Sequence, residues 1–139
     1  MGNTVKVFVR AEVPLDEFVR ELENLLGLQF KRFDTDSGVI YEARTPDGLY
    51  QVYDDHWLDN DPDLGLNFED YNYEISFLPS NEFARRASSV EEWDRIFVDF
   101  GWRIFERLKA TGKYPLMYTY DVCRKLDEYT PPVKLTLHP

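Results

Sequence analysis

Forty consecutive residues, Thr45 to Ala84, carry ten acidic side chains and no Lys or Arg. The acids are Asp47, Asp54, Asp55, Asp59, Asp61, Asp63, Glu69, Asp70, Glu74 and Glu82. The rest of the chain balances sixteen acids against sixteen bases, so the formal charge of −10 belongs to this stretch. Unpaired charges are too costly to bury. With no cation nearby in sequence, the segment is expected to run over the surface with most of its carboxylates in water. Between Asp54 and Glu74 the acids alternate with Trp57, Leu58, Leu64, Leu66, Phe68, Tyr71 and Tyr73. A concentrated field beside large apolar side chains suits the docking of a basic partner. A solvated loop that keeps the protein dissolved is the plainer alternative.

On either side of this segment the hydrophobic pattern is regular. Val5, Val7 and Val9 alternate as in a half-buried strand. Pro14 opens a helix over residues 14–26, in which Leu15, Phe18, Val19, Leu22, Leu25 and Leu26 form one apolar stripe and Gly27 supplies the stop. Leu28 to Phe33, Val39 to Arg44 and Leu49 to Tyr53 read as three strands of a meander. Its turns are Asp34 to Gly38 and Thr45-Pro46-Asp47-Gly48. Tyr71 to Phe77 alternates again. A second helix over residues 89–110 begins with a Ser89/Glu92 capping box, presents Val90, Trp93, Phe97, Phe100, Ile104 and Leu108, and ends at Gly112. Leu116 to Tyr120 reads as a strand, Asp121 to Tyr129 as a short helix and Val133 to Leu137 as an edge strand. The fold expected is α+β, a largely antiparallel sheet with two main helices packed on one face, in a single domain over residues 1–139.

At 139 residues, 43% hydrophobic and 16% aromatic, the chain can bury a sizeable core. No run approaches a membrane span or a signal peptide, and a single cysteine fits a reducing compartment, so a cytoplasmic protein is expected. The acidic balance argues against nucleic acid as a direct ligand.

No catalytic constellation emerges. His56 stands beside Asp54 and Asp55, but the other histidine, His138, lies in the C-terminal tail, and no nucleophile accompanies it. Cys123 matches no cysteine signature and reads as a small buried hydrophobe. Gly101, between Phe100 and Trp102, reads as a point of close helix packing. Asp59-Asn60-Asp61-Pro62-Asp63, with Asp70 eleven residues after Asp59, imitates a calcium loop, but Leu64 stands where such a loop needs glycine. No cofactor and no metal ligand set is expected.

The order Pro14-Leu15-Asp16-Glu17-Phe18, Leu25-Leu26-Gly27, Gly38-Val39-Ile40-Tyr41, an acidic loop, Asn67-Phe68-Glu69-Asp70-Tyr71, Lys113-Tyr114-Pro115-Leu116 and Asp121-Val122 resembles small acidic immunity proteins of bacterial polymorphic-toxin systems. The resemblance implies a cytoplasmic α+β protein that binds and blocks a basic toxin domain, often a nuclease. It carries over no functional residue. Charge and exposure alone nominate Asp54, Asp55, Trp57, Asp59, Asp61, Asp63, Glu69 and Asp70 as partner-binding. Two alternatives stand beside this: a metal-binding protein using the Asp59–Asp70 loop, and a structural or oligomeric domain in which the loop is only solvation.

Overall fold

The computed structural model describes residues 4–132. Its sheet has seven strands: β1 (Val5–Val9), β2 (Lys31–Thr35), β3 (Gly38–Thr45), β4 (Gly48–Tyr53), β5 (Tyr73–Pro79), β6 (Leu116–Tyr120) and β7 (Arg124–Tyr129). They lie in the order β2-β3-β4-β5-β1-β6-β7 and every pairing is antiparallel. Among the described residues three α-helices accompany the sheet: α1 (Leu15–Leu26), the single turn α2 (Asn81–Ala84) and the long α3 (Val90–Thr111). This is the α+β arrangement expected. The meander from β2 to β4 follows from its two-residue turns, Asp36-Ser37 and Pro46-Asp47.

Helices α1 and α3 cover one face. Val5, Val7 and Val9 of β1, Tyr50 and Val52 of β4, Ile75 and Phe77 of β5, and Leu116 and Tyr118 of β6 share a core with Phe18, Val19 and Leu22 of α1 and Phe97, Ile104, Phe105 and Leu108 of α3. Gly27 closes α1 in the left-handed conformation (φ +68°). Ser89 caps α3 by accepting from the Glu92 amide at 3.1 Å. The carboxylate of Glu92 reaches back to the Ser88 amide rather than to that of Ser89, one residue outside the expected box.

Several sequence expectations are corrected. β1 is buried on both faces, because Phe8 is fully enclosed by the acidic segment on the side away from the helices. The first meander strand begins at Lys31, not Leu28, and β5 begins at Tyr73, not Tyr71. Val90 is 75% exposed and lies outside the core, whereas Phe105, which the apolar stripe omitted, is fully buried.

The expected helix from Asp121 to Tyr129 is a turn followed by β7. Asp121 adopts a left-handed conformation (φ +52°) that reverses the chain, its amide bound to Thr4 O at 2.6 Å. Pairing with β6 then overrides the helical preference of Arg124, Lys125, Leu126 and Glu128. Cys123 is exposed in that turn rather than buried. The strand expected at Val133 to Leu137 lies outside the described residues.

Gly101 is where α3 touches the sheet most closely. A Cβ there would meet the Tyr118 hydroxyl oxygen at 2.4 Å and Val5 Cγ2 at 2.7 Å. Tyr118 is fully buried and Val5 nearly so, and neither has room to retreat. Gly101→Ala should therefore cost about 2 kcal/mol despite its better helix propensity. A urea denaturation midpoint equal to wild type would show that the helix can lift without penalty.

Candidate functional site

The acidic segment connects β4 to β5 and lies against the sheet face opposite the helices. Its anchor is a second apolar cluster, in which Leu66, Phe68 and Tyr71 enclose Phe8 of β1 and Met117 of β6, with Leu58 at the margin. The Phe8 ring meets Phe68 at 5.0 Å and His56 at 5.3 Å between centroids, both edge-on. The large apolar residues between the acids therefore divide. Leu66, Phe68, Tyr71 and Tyr73 point inward, while Trp57 and Leu64 face solvent.

Polar bonds hold the remainder. His56 Nδ1 accepts from the Leu58 amide at 3.0 Å, so its proton resides on Nε2, which donates to Tyr71 O at 2.8 Å. This pins the start of the segment to its end and occupies both ring nitrogens, leaving neither for base chemistry. Asn60 and Glu69 interlock: each side chain accepts from the other's backbone amide, at 2.9 and 3.0 Å. Asp61 and Leu66 exchange backbone bonds of 2.7 and 2.9 Å around a tight reversal through Gly65. Asn72 clamps the following turn to Ala11 with two bonds of 2.8 and 2.9 Å. A 3₁₀ turn, Phe68–Asp70, brings Glu69 and Asp70 to the surface while Phe68 goes inward.

The carboxylates stay outside this framework. Asp54, Asp55, Asp59, Asp63, Glu69 and Asp70 are exposed and Asp61 is half-buried. Among the described residues none of the seven forms an ion pair. Other acids of the stretch behave differently. Glu74 is buried on β5 and paired with Lys6 at 3.2 Å, and Lys6 also donates to Ser76 Oγ at 2.9 Å. Asp47 is paired with Arg86. Glu82, in α2, is exposed and unpaired among the described residues, and the other unneutralised carboxylates of the stretch lie between residues 54 and 70.

Trp57 stands within that field. It is 75% exposed and has a left-handed backbone (φ +57°), a strained state for a bulky residue, held by the Asp55 side chain accepting from its amide at 2.9 Å. Two hollows flank it. One, of about 460 Å³, gathers Asp54, Asp55, Trp57, Asp59 and Glu69 with Tyr71 and Asn72. The other, of about 160 Å³, lies between Trp57 and the sheet, where Val39, Ile40, Tyr53 and Glu74 form its wall. Asp70 lies on an adjoining hollow with Glu69 and Arg10. Asp61 and Asp63 sit on the tight reversal and line neither hollow beside Trp57. The Val39–Tyr53 wall has no local signature, because β3 and β4 reach Trp57 only through the sheet register.

The calcium-like spacing does not converge. Among the described residues no three His, Cys, Asp or Glu side chains come together as a metal site. Asn60 and Glu69 are spent on each other, and Asp61 Oδ1 accepts from the Leu64 amide. Among the described residues no helix is long and apolar enough to cross a membrane. Compared with known proteins, the chain matches no family model, no curated protein and no solved structure.

Two stability measurements test this architecture. Lys6→Met should cost about 3 kcal/mol by leaving Glu74 buried without its cation, and adding Glu74→Met should return most of it. If both variants unfold at the same denaturant concentration, the pair carries no coupling. Trp57→Gly should stabilise the protein by about 1 kcal/mol, since it relieves the left-handed strain and forfeits little packing. A lower melting temperature would mean that the indole is packed after all.

Proposed function

We propose that the chain is an acidic binding module whose 54–70 surface docks a basic protein partner. In the form the sequence resemblance implies, it is an immunity protein that covers the active-site cleft of a toxin domain such as a nuclease. A nuclease cleft must attract phosphate, so an acidic surface can occupy it by presenting carboxylates in place of phosphates. The observation that carries this reading is the exposed Trp57 indole on a strained backbone, beside Asp54, Asp55, Asp59 and Glu69, none of them in an ion pair among the described residues, on a segment bolted to the core. A loop serving only solubility has no use for an exposed indole and a strained backbone.

Each part has a distinct task in docking. Trp57 supplies the area that a partner can desolvate. Asp54, Asp55, Asp59 and Glu69 surround it with complementary charge, which chiefly accelerates encounter. Asp61, Asp63 and Asp70 extend the field along the segment. Because the carboxylates are exposed before binding, they need little reorganisation to meet cations, and the fixed backbone reduces the ordering cost.

The test uses the intact protein as bait in extract from its native cell, beside a variant combining Trp57→Ala, Asp59→Asn and Asp61→Asn. The wild type should retain a basic protein that the variant loses. With that partner purified, Asp59→Asn with Asp61→Asn should slow association roughly tenfold at low salt and flatten its salt dependence. Equal capture by both baits, or an unchanged on-rate, would sink the docking surface.

A further inference from the structure

On the helix-covered face, remote from the acidic segment, a hollow of about 190 Å³ opens between the end of α1, the middle of α3 and β4. We propose that this hollow, walled by Leu26, Tyr50, Phe100 and Ile104 and flanked by Arg103 and Arg107, binds a small carboxylate with an apolar body. The inference does not depend on the docking surface.

Two observations point to an anion. First, Arg103 and Arg107 lie one turn apart on α3, where like charges repel, yet among the described residues neither pairs with a carboxylate. Arg107 donates to Leu25 O at 3.2 Å and so helps cap α1, which accounts for one of its N–H groups. Arg103 has no such use. It sits two turns before the end of α3, beyond the reach of the helix dipole's last turn.

Second, Tyr50 lines the same hollow, and its hydroxyl forms no hydrogen bond within the described residues, which leaves it a free donor there. Burial, reinforced by Asp47 and opposed by Arg107, pushes the Tyr50 hydroxyl up to about 12, so it keeps its proton and can donate. Asp47 is the one carboxylate acting on that hydroxyl, and it is engaged by Arg86.

The walls select the ligand. A volume of 190 Å³ equals that of roughly six waters and falls below the usual range for drug-sized pockets. Leu26, Phe100 and Ile104 offer inorganic phosphate nothing, but they suit a ring or branched chain. A guanidinium fork matches a planar carboxylate. A carboxylate held between Arg103 and the Tyr50 hydroxyl, with its apolar body against Phe100 and Ile104, would use every unspent group.

The experiment titrates the full chain with benzoate, benzamide and inorganic phosphate and follows backbone amide resonances. Benzoate should shift Tyr50, Phe100 and Arg103 and saturate with a dissociation constant on the order of 1 mM. Benzamide and phosphate should each bind about tenfold more weakly. Arg103→Gln, at an exposed position, should weaken benzoate about tenfold with the melting temperature unchanged, and Tyr50→Phe about threefold. Failure of benzoate to saturate, equal binding of benzamide or phosphate, or full affinity in Arg103→Gln would each overturn the proposal.

Discussion

The whole structure hangs on the insertion of β1 between β5 and β6. Without it the sheet falls into two pieces, the meander β2-β3-β4-β5 and the hairpin β6-β7, with no hydrogen bonds between them. β1 pairs along its full length with both neighbours, Val5 opposite Phe77 on one side and Tyr120 on the other. Those partners are distant in sequence, so loop-closure entropy must be met before the pairing repays it. What repays it is burial on both faces. Val5, Val7 and Val9 enter the helix-side core and Phe8 enters the cluster beneath the acidic segment. Even Lys6, the polar member, is held by Glu74 and Ser76 of β5.

This dual burial ties the acidic segment to global stability. An acidic loop of this density would ordinarily be among the first parts of a protein to open, because its charges repel one another and its backbone is exposed. Here Leu66, Phe68 and Tyr71 cannot leave without uncovering Phe8 and Met117 in the middle of the sheet. The repulsion among seven carboxylates is thus borne by a hydrophobic cluster and by bonds such as His56 to Tyr71 and Asn60 to Glu69. A surface so constrained presents its charges at fixed spacing.

Much of the scaffold was legible in the sequence, for identifiable reasons. Pro14 and Gly27 bracket α1, Ser89 and Gly112 bracket α3, and Leu116 to Tyr120 matches β6 at both ends, because caps and strong alternation act locally. Arg124 to Tyr129 failed because its conformation is decided by the edge of β6, which no local preference reveals. The acidic segment was legible as charge and illegible as structure. Its inward residues, Leu66, Phe68 and Tyr71, follow neither a strand nor a helix period, since a reversal at Gly65 and a 3₁₀ turn at Phe68–Asp70 set their directions. Nor could the role of His56 as a clamp be read, because its acceptor, Tyr71 O, is fifteen residues away on the far side of the loop.

The acidic segment and the Arg103/Arg107 pair lie on opposite sides of the sheet, and the topology explains how they coexist. The cation-free stretch begins at the β3–β4 turn and crosses to the face opposite the helices between β4 and β5, whereas Arg103 and Arg107 belong to α3 on the other side. With the sheet and its core between them, the carboxylates and the two arginines cannot neutralise each other by contact, and at physiological ionic strength screening over roughly 8 Å attenuates what remains. At the surface, Asp47 of the acidic stretch meets Arg86 just before α3, near the Tyr50 hydroxyl. That pairing ties the turn before β4 to the segment after α2, a surface ion pair of modest worth.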